Sequence, residues 1–276
     1  MNANWTGISC ALLALAAFIL VYWWGSRQCL RCRLILTVVA LLAAVPGASF
    51  ALYYAKVVPE AAWYYEMRSV VGIELLIVWV GIAGGMVATL LPRTLLALPL
   101  FAAGVFAVVP FIKPFIGPMG KLEDTWKDGV CLQSSPSTCG AASTATVLSD
   151  LGGNTGEEEL AMAAHSYDRG TEAWYLARAA RVRGYQVRFD FSKDFNPDGG
   201  LPAVVGVLIG AQGHFIAVLG REGEKFITGD PLVGREVLSL EEMRKRWEFT
   251  GFHMRVTSPE RRRADEDNPP AEKTGK

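Results

Sequence analysis

The sequence predicts a two-part fold: a membrane-spanning α-helical half, 1–116, and an α+β domain, 117–257, with helices packed on an antiparallel sheet. Three observations lead there. Apolar residues make up 51% of the 276 and mean hydropathy is +0.25, high for a soluble chain. Charge is unevenly shared: residues 1–116 hold 7 Lys/Arg and 3 Asp/Glu, net +4, whereas 117–276 hold 20 and 24, net −4. Beyond residue 117 the helix signals come first and the strand signals afterwards, the order of an α+β domain. That second half shows no basic patch or stripe, which argues against nucleic acid as a partner.

Four segments are long and apolar enough to cross a bilayer, which takes about 20 residues: Thr6 to Gly25, Leu34 to Ala55, Val70 to Leu91 and Leu95 to Ile112. The first could be a cleaved signal peptide. No basic residue precedes it, however, and Arg27, Arg31 and Arg33 follow it, so a retained span is expected. The positive-inside rule puts the loop holding those arginines, and the loop with Arg93, in the cytoplasm. An even number of spans then returns the second half to the outside. The expected location is the inner membrane of a bacterial cell, with the lipid bilayer as a partner and the domain on the periplasmic or extracellular side. Lys56, Arg68, Lys113 and Lys121 weigh against this orientation, because they would also lie outside.

Trp23, Trp24, Tyr53, Tyr54, Trp63, Tyr64 and Tyr65 cluster near span ends, where interfacial anchors are expected. Glu74 lies about one turn inside the third span and is expected to snorkel to the interface. Gly81 and Gly85 have the spacing that lets two helices approach closely. Cys29 and Cys32 form a Cys-x-x-Cys between arginines; a zinc site would need further ligands, so they read as incidental loop cysteines. Neither an internal repeat nor a phosphate-binding loop is present, and ATP-driven export by this chain alone is not expected.

In the second half, Thr155-Gly-Glu-Glu158 reads as a capping box. Thr171 is expected to cap a helix with the apolar face Ala173, Leu176, Ala177 and Ala180, stopped by Arg181, Arg183 and Gly184. Strand-like runs follow at Tyr185 to Phe191, Ala203 to Ile209, His214 to Leu219, Lys225 to Thr228 and Phe252 to Val256, separated by Gly- and Pro-rich turns. The tail, 258–276, is Pro-rich and charged and is expected to be disordered.

The chemistry converges on Cys139. It stands in Cys131-Leu-Gln-Ser-Ser-Pro-Ser-Thr-Cys139-Gly-Ala-Ala, just where a helix-forming stretch begins. The positive end of a helix dipole and its unpaired N–H groups favour thiolate over thiol. Downstream, His214 opens a strand and Asp230 closes the next. A hairpin would bring the two to one sheet edge. Thiol hydrolysis of a peptide needs a thiolate, a proton carrier, an orienter and oxyanion donors. Cys139 would attack, His214 would carry the proton, and Asp230 would fix the imidazole tautomer. The Gln133 carboxamide and the Cys139 backbone N–H would hold the oxyanion.

Each residue taken alone has a plainer role: a cysteine among small residues is most often a buried filler, and Asp-Pro is a common turn. The combination, in the order Gln, Cys, His, Asp, is what points to chemistry. Of the 3 histidines, His165 falls in a helix and His253 has no acidic residue close behind it. Cys131 precedes Gln133 with no helix start after it, and reads as a buried thiol. A Cys131–Cys139 disulfide would silence the site.

These residues carry a resemblance. Gln133 to Ala142, Gly213-His214-Phe215 and Asp230-Pro231-Leu-Val-Gly234 are similar to peptidase family C39, as are Gly170-Thr171 and the helix ending Leu-Ala-Arg-Ala-Ala-Arg-Val-Arg-Gly184. The likeness covers about Val130 to Phe252. It implies a papain-like fold and the catalytic set Cys139, His214, Asp230 and Gln133; neither metal-ligand spacing nor a dinucleotide turn appears, so no metal and no organic cofactor is expected. It further implies a peptide or protein substrate, cut after a Gly-Gly pair at the end of a leader, and a separate exporter as a candidate partner. The chain departs from the exporter version in three ways: the domain follows the spans, an ATPase domain is missing, and the spans number four instead of six. A catalytically idle peptide-binding module, and acyl transfer to an amine, are the competing readings.

Overall fold

The computed structural model describes residues 4–113, 120–168 and 170–258. They form two compact units, 4–60 with 70–113, and 61–69 with 120–258. The boundary expected at residues 116 and 117 lies outside the described residues, as does the charged tail beyond Ser258.

In the first unit, α1 (Trp5–Gly25) is capped by Asn4, whose Oδ1 accepts from the Gly7 N–H at 2.8 Å. Next comes α2 (Leu30–Tyr54), with Pro46 in its interior. Among the described residues, three helical segments are long and apolar enough to cross a membrane, Trp5–Gly25, Leu30–Tyr54 and Arg93–Phe111, and a fourth if the bent pair Ala62–Arg68 and Ile73–Ala88 counts as one span. The third expected span, Val70 to Leu91, is not one helix. Helix α3 (Ala62–Arg68) ends at Ser69 and Gly72 adopts φ +81°. Helical backbone resumes only with the 3₁₀ turn Ile73–Ile77 and α4 (Val78–Ala88). A left-handed residue cannot continue a right-handed helix, so the apolar run is cut there.

The Gly81 and Gly85 spacing is used inside the chain. A Cβ at Gly81 would come 1.8 Å from the Ala14 carbonyl oxygen, and one at Gly85 would come 2.6 Å from that of Phe18. Only glycine lets α4 lie this close to α1. Glu74 does not snorkel. It is 2% exposed, because the short turn that carries it packs against α1 and α2. The first unit is completed by α5 (Ala97–Val108).

The second unit recruits α3 from between the apolar segments. Tyr64 and Tyr65, expected as interfacial anchors, are instead core residues at 0% and 6% exposure, while Trp63 stays 63% exposed. The Tyr65 ring lies 5.3 Å, centroid to centroid, from each of Trp174, Phe189 and Phe191, and 5.7 Å from Phe252. Glu66 pairs with Arg181 and accepts the Phe189 N–H at 2.9 Å. Four aromatic contacts bury more apolar surface than a membrane interface offers one ring.

The rest of this unit is an α+β domain. A short hairpin, β1 (Thr125–Lys127) and β2 (Val130–Leu132), turns on Asp128 and Gly129 at φ 50° and 78°, the positive values a two-residue hairpin needs. Helices α6 (Cys139–Asp150), α7 (Glu157–Ala163) and α8 (Ala173–Val182) follow. Then come β3 (Gln186–Phe191), β4 (Ala203–Ile209), β5 (Gln212–Glu222), β6 (Lys225–Asp230), β7 (Gly234–Ser239), α9 (Leu240–Arg246) and β8 (Glu248–Thr257). The sheet order is β3-β8-β4-β5-β6-β7, antiparallel throughout. Val205, Val207, Ile216 and Val218 join Met243 and Trp247 in a core on one face of the sheet, and α6 packs against β5.

Two expected caps are built differently. The Thr155 to Glu158 box does not form: α7 starts after Gly156, and Asp124 Oδ1 accepts the Glu158 N–H at 2.9 Å. Thr171 does not cap α8 either; its hydroxyl meets that of Ser166 at 2.6 Å. In both cases a tertiary partner displaces the local one. The strand β7 and helix α9 lie outside the strand and helix runs read from the sequence, although Ser239-Leu-Glu-Glu242 forms a complete capping box.

Candidate active site

Cys139 is the first residue of α6, and all residues from Cys139 to Leu148 are buried. Small side chains allow this. A Cβ at Gly140 would come 2.9 Å from Leu176 Cδ1 and 3.2 Å from Phe215 Cδ2, so glycine lets the helix start press against β5. One turn on, the Ser143 hydroxyl donates to the Phe215 carbonyl at 2.9 Å. That bond ties the helix carrying Cys139 to the residue after His214.

His214 lies on β5 and Asp230 ends β6, and the pairing of Ala217 with Gly229 brings both to one region of the sheet. His214 Nε2 stands 3.0 Å from Asp230 Oδ1. The Cys139 thiol is the second group that acts on this imidazole. Burial alone would push His214 down, but hydrogen bonds to Asp230 and Cys139 outweigh it and raise the imidazole to about 9. Burial would likewise raise Asp230. Its bonds to His214 and to the Leu232 N–H, with the Arg246 charge, instead hold the carboxyl below its usual value. Arg246 Nη2 lies 3.5 Å from Asp230 Oδ2.

The start of α6 has no side-chain cap. Thr138 turns its hydroxyl back to the Ser135 carbonyl, at 3.0 Å. The first N–H groups of the helix, that of Cys139 among them, are thereby left to an incoming anion.

Gln133 follows β2. Its backbone N–H donates to the Pro231 carbonyl at 3.0 Å, next to Asp230. Its carboxamide nitrogen donates to the Ser135 carbonyl at 2.8 Å. The carboxamide oxygen is buried and has no partner among the described residues.

Sequence reasoning missed the group that holds this loop. Glu157 is fully buried and accepts from both the N–H and the hydroxyl of Ser134, at 2.9 and 2.7 Å. Its only signal was a glutamate in the first turn of a helix, which local rules assign to capping. Ser143 was equally silent, one small residue in a run of them.

The rival groups stand apart. Cys131 and Cys139 are both free thiols. Burial, with the Glu157 charge, pushes the Cys131 thiol up to about 12. His253 is buried in β8, where Nε2 accepts from the Asn196 N–H at 3.2 Å and Nδ1 donates to the Gly251 carbonyl at 3.0 Å. That pattern needs the neutral ring, and burial lowers its pKa. His165 packs edge-on against Tyr175. Among the described residues, no three His, Cys, Asp or Glu side chains converge as metal ligands.

The family model of the peptidase C39 family matches residues 127–260, the segment that carries all of these groups. The chain belongs to the peptidase C39 family. An uncharacterized protein of Methanothermobacter thermautotrophicus is 31% identical to this chain over 112 residues, 41% of this chain and 78% of that protein. A second, from Methanothermobacter marburgensis, is 34% identical over 106 residues, 37% of this chain and 71% of that protein. Among solved structures, the C39 domain is similar to the peptidase domain of Streptococcus ComA, a bi-functional ABC transporter involved in quorum sensing. That match is 26% identical, covers 46% of this chain and 96% of that one, and has a TM-score of 0.40. It is also similar to a double glycine motif protease from an AMS/PCAT transporter, solved with its leader peptide. There the identity is 23%, with 51% and 97% of the two chains covered and a TM-score of 0.40.

Proposed function

We propose that this chain is a membrane-anchored cysteine peptidase that hydrolyses a peptide bond by attack of Cys139. The observation that carries the reading is the line from the Cys139 thiol through His214 to Asp230 at an uncapped helix start. A protonated imidazole beside the sulfur stabilises a thiolate by opposite charge. The sulfur attacks the carbonyl carbon, and the oxyanion that forms takes hydrogen bonds from the Cys139 N–H and the Gln133 carboxamide. His214 then protonates the leaving amine and the C–N bond breaks, giving an acyl-enzyme. Water, deprotonated by His214, attacks the thioester, releasing the acid and the thiol. Asp230 keeps the imidazole in the tautomer and direction both steps need.

Membership of the C39 family supports a peptide or protein substrate, and the resemblance noted above supports cleavage after Gly-Gly at the end of a leader, supplied by a separate exporter. The apolar helices support an anchor in the inner membrane, and a fourth crossing by the bent pair Ala62–Arg68 and Ile73–Ala88, with the arginines after the first span in the cytoplasm, supports the C39 domain on its outer side. The test is incubation of the full chain, in detergent, with peptides containing a Gly-Gly site, and mass spectrometry of the products. Cleavage by the wild type and none by Cys139→Ala is expected; equal cleavage by both would overturn the assignment.

A further inference from the structure

The turn between α1 and α2 holds a second pair of thiols with its own geometry. Cys29 is the N-cap of α2, with extended backbone at φ −63° and ψ 155°. Its sulfur accepts the Cys32 N–H at 3.3 Å, and the Cys29 and Cys32 sulfurs stand 2.8 Å apart, in hydrogen-bond contact. Both residues are exposed, in contrast to Cys10, Cys131 and Cys139. The turn is held firmly. The Arg33 guanidinium donates to the Gln28 carbonyl at 2.9 Å, to that of Thr89 at 3.1 Å and to that of Ser26 at 2.5 Å.

We propose that Cys29 and Cys32 form a thiol–disulfide exchange site, in which Cys29 attacks an external disulfide and Cys32 resolves the adduct. Two sulfurs already in contact lose little freedom on joining, so ring closure is favoured over release of a half-reacted adduct. The N-cap position points the Cys29 sulfur at the free N–H groups and positive end of α2. Hydrogen bonds from Cys32, first from its thiol and then from its backbone, hold the Cys29 thiol below the ordinary cysteine range.

The exchange balances as follows. The Cys29 thiolate attacks one sulfur of a disulfide R–S–S–R′, forming a Cys29–S–S–R bond and releasing R′–S⁻, which takes up a proton. The Cys32 sulfur, losing its proton, then attacks the Cys29 sulfur. The Cys29–Cys32 bond forms and R–S⁻ leaves. The protein dithiol has lost two electrons and the external disulfide has become two thiols. The ligand class is a disulfide, of a small thiol or of a protein.

The test uses the full chain in detergent micelles, equilibrated with mixtures of reduced and oxidised glutathione, then quenched. Differential alkylation and peptide mass spectrometry report each cysteine. A Cys29–Cys32 disulfide rising in one two-electron step is expected, with Cys10 and Cys131 remaining thiols. Cys32→Ser should trap a glutathione adduct on Cys29, whereas Cys29→Ser should slow the reaction of Cys32 by about tenfold or more. Separate glutathione adducts accumulating on both wild-type residues, or Cys32 reacting as fast as Cys29, would overturn the proposal.

Discussion

The Ser143 hydroxyl donates a 2.9 Å hydrogen bond to the carbonyl oxygen of Phe215. It spans the short gap between the helix that carries Cys139 and the strand that carries His214, so one side chain sets the separation of two groups 75 residues apart in sequence. Ser143→Ala leaves a buried carbonyl without its donor, which costs about 1–3 kcal/mol of stability. Peptide cleavage should fall about tenfold in kcat with KM little changed, because the sulfur and imidazole lose register while Cys139, His214 and Gln133 are all retained. Urea denaturation and steady-state kinetics measure the two effects.

Glu157 holds the other side of the site. Its carboxylate takes both donors of Ser134, next to Gln133. Glu157→Ala frees that loop and should lower kcat about ten- to a hundredfold. Glu157→Gln, which keeps one acceptor, should retain more activity than Glu157→Ala. A merely structural residue would lower the yield of folded protein without this ordering in kcat.

The pH dependence follows from His214. An imidazole raised to about 9 stays protonated through neutral pH, so the alkaline limb of kcat/KM should lie near that value. Asp230→Ala removes a hydrogen bond that raises it, and the limb should move to lower pH. Stability follows the same sign. His214 stabilises the fold fully below about pH 6.5, its unperturbed value, and this contribution is lost as pH rises through about 9, amounting to about 3 kcal/mol. Asp230, held low, contributes above its unperturbed range, and that contribution is lost as pH falls through its folded value. Rate profiles and thermal melts across pH 4 to about 10 check both limbs.

Helix α3 makes a different kind of prediction. Tyr65 fills an aromatic pocket of the C39 domain, so Tyr65→Ala should destabilise it by about 3 kcal/mol. A fragment of residues 120–258 expressed without 61–69 should expose that pocket and aggregate. Because α3 packs on the C39 domain, both lie on one side of any membrane, and the segment from 70 to 113 crosses an even number of times or not at all. Tags placed in the 56–60 turn and after residue 258 should therefore show the same accessibility in spheroplasts.

What the sequence made legible was chemistry with few local competitors. Cys139 and Asp230 stood out at the start and the end of an element, whereas His214, expected to open its strand, stands third in β5 behind Gln212 and Gly213. The apolar helices were legible from composition, except where a single left-handed Gly72 cut the third one. Groups whose role depends on a tertiary partner were not legible. Glu157 and Thr155 share a helix start that local rules read as a capping box, but Asp124 supplies the cap and Glu157 turns to Ser134. Tyr64 and Tyr65 sit where membrane anchors sit, and only the distant rings of Trp174 and Phe189 show that they belong to another core.

The most direct measurement is the rate at which a small alkylating agent modifies Cys139, followed by peptide mapping, in the wild type and in His214→Asn between pH 5 and about 8. The wild-type sulfur should react faster than an ordinary thiol at the acid end of that range, and His214→Asn should lose about tenfold or more of that rate. Equal rates in the two proteins across the range would contradict the pairing of Cys139 with His214 on which the peptidase assignment stands.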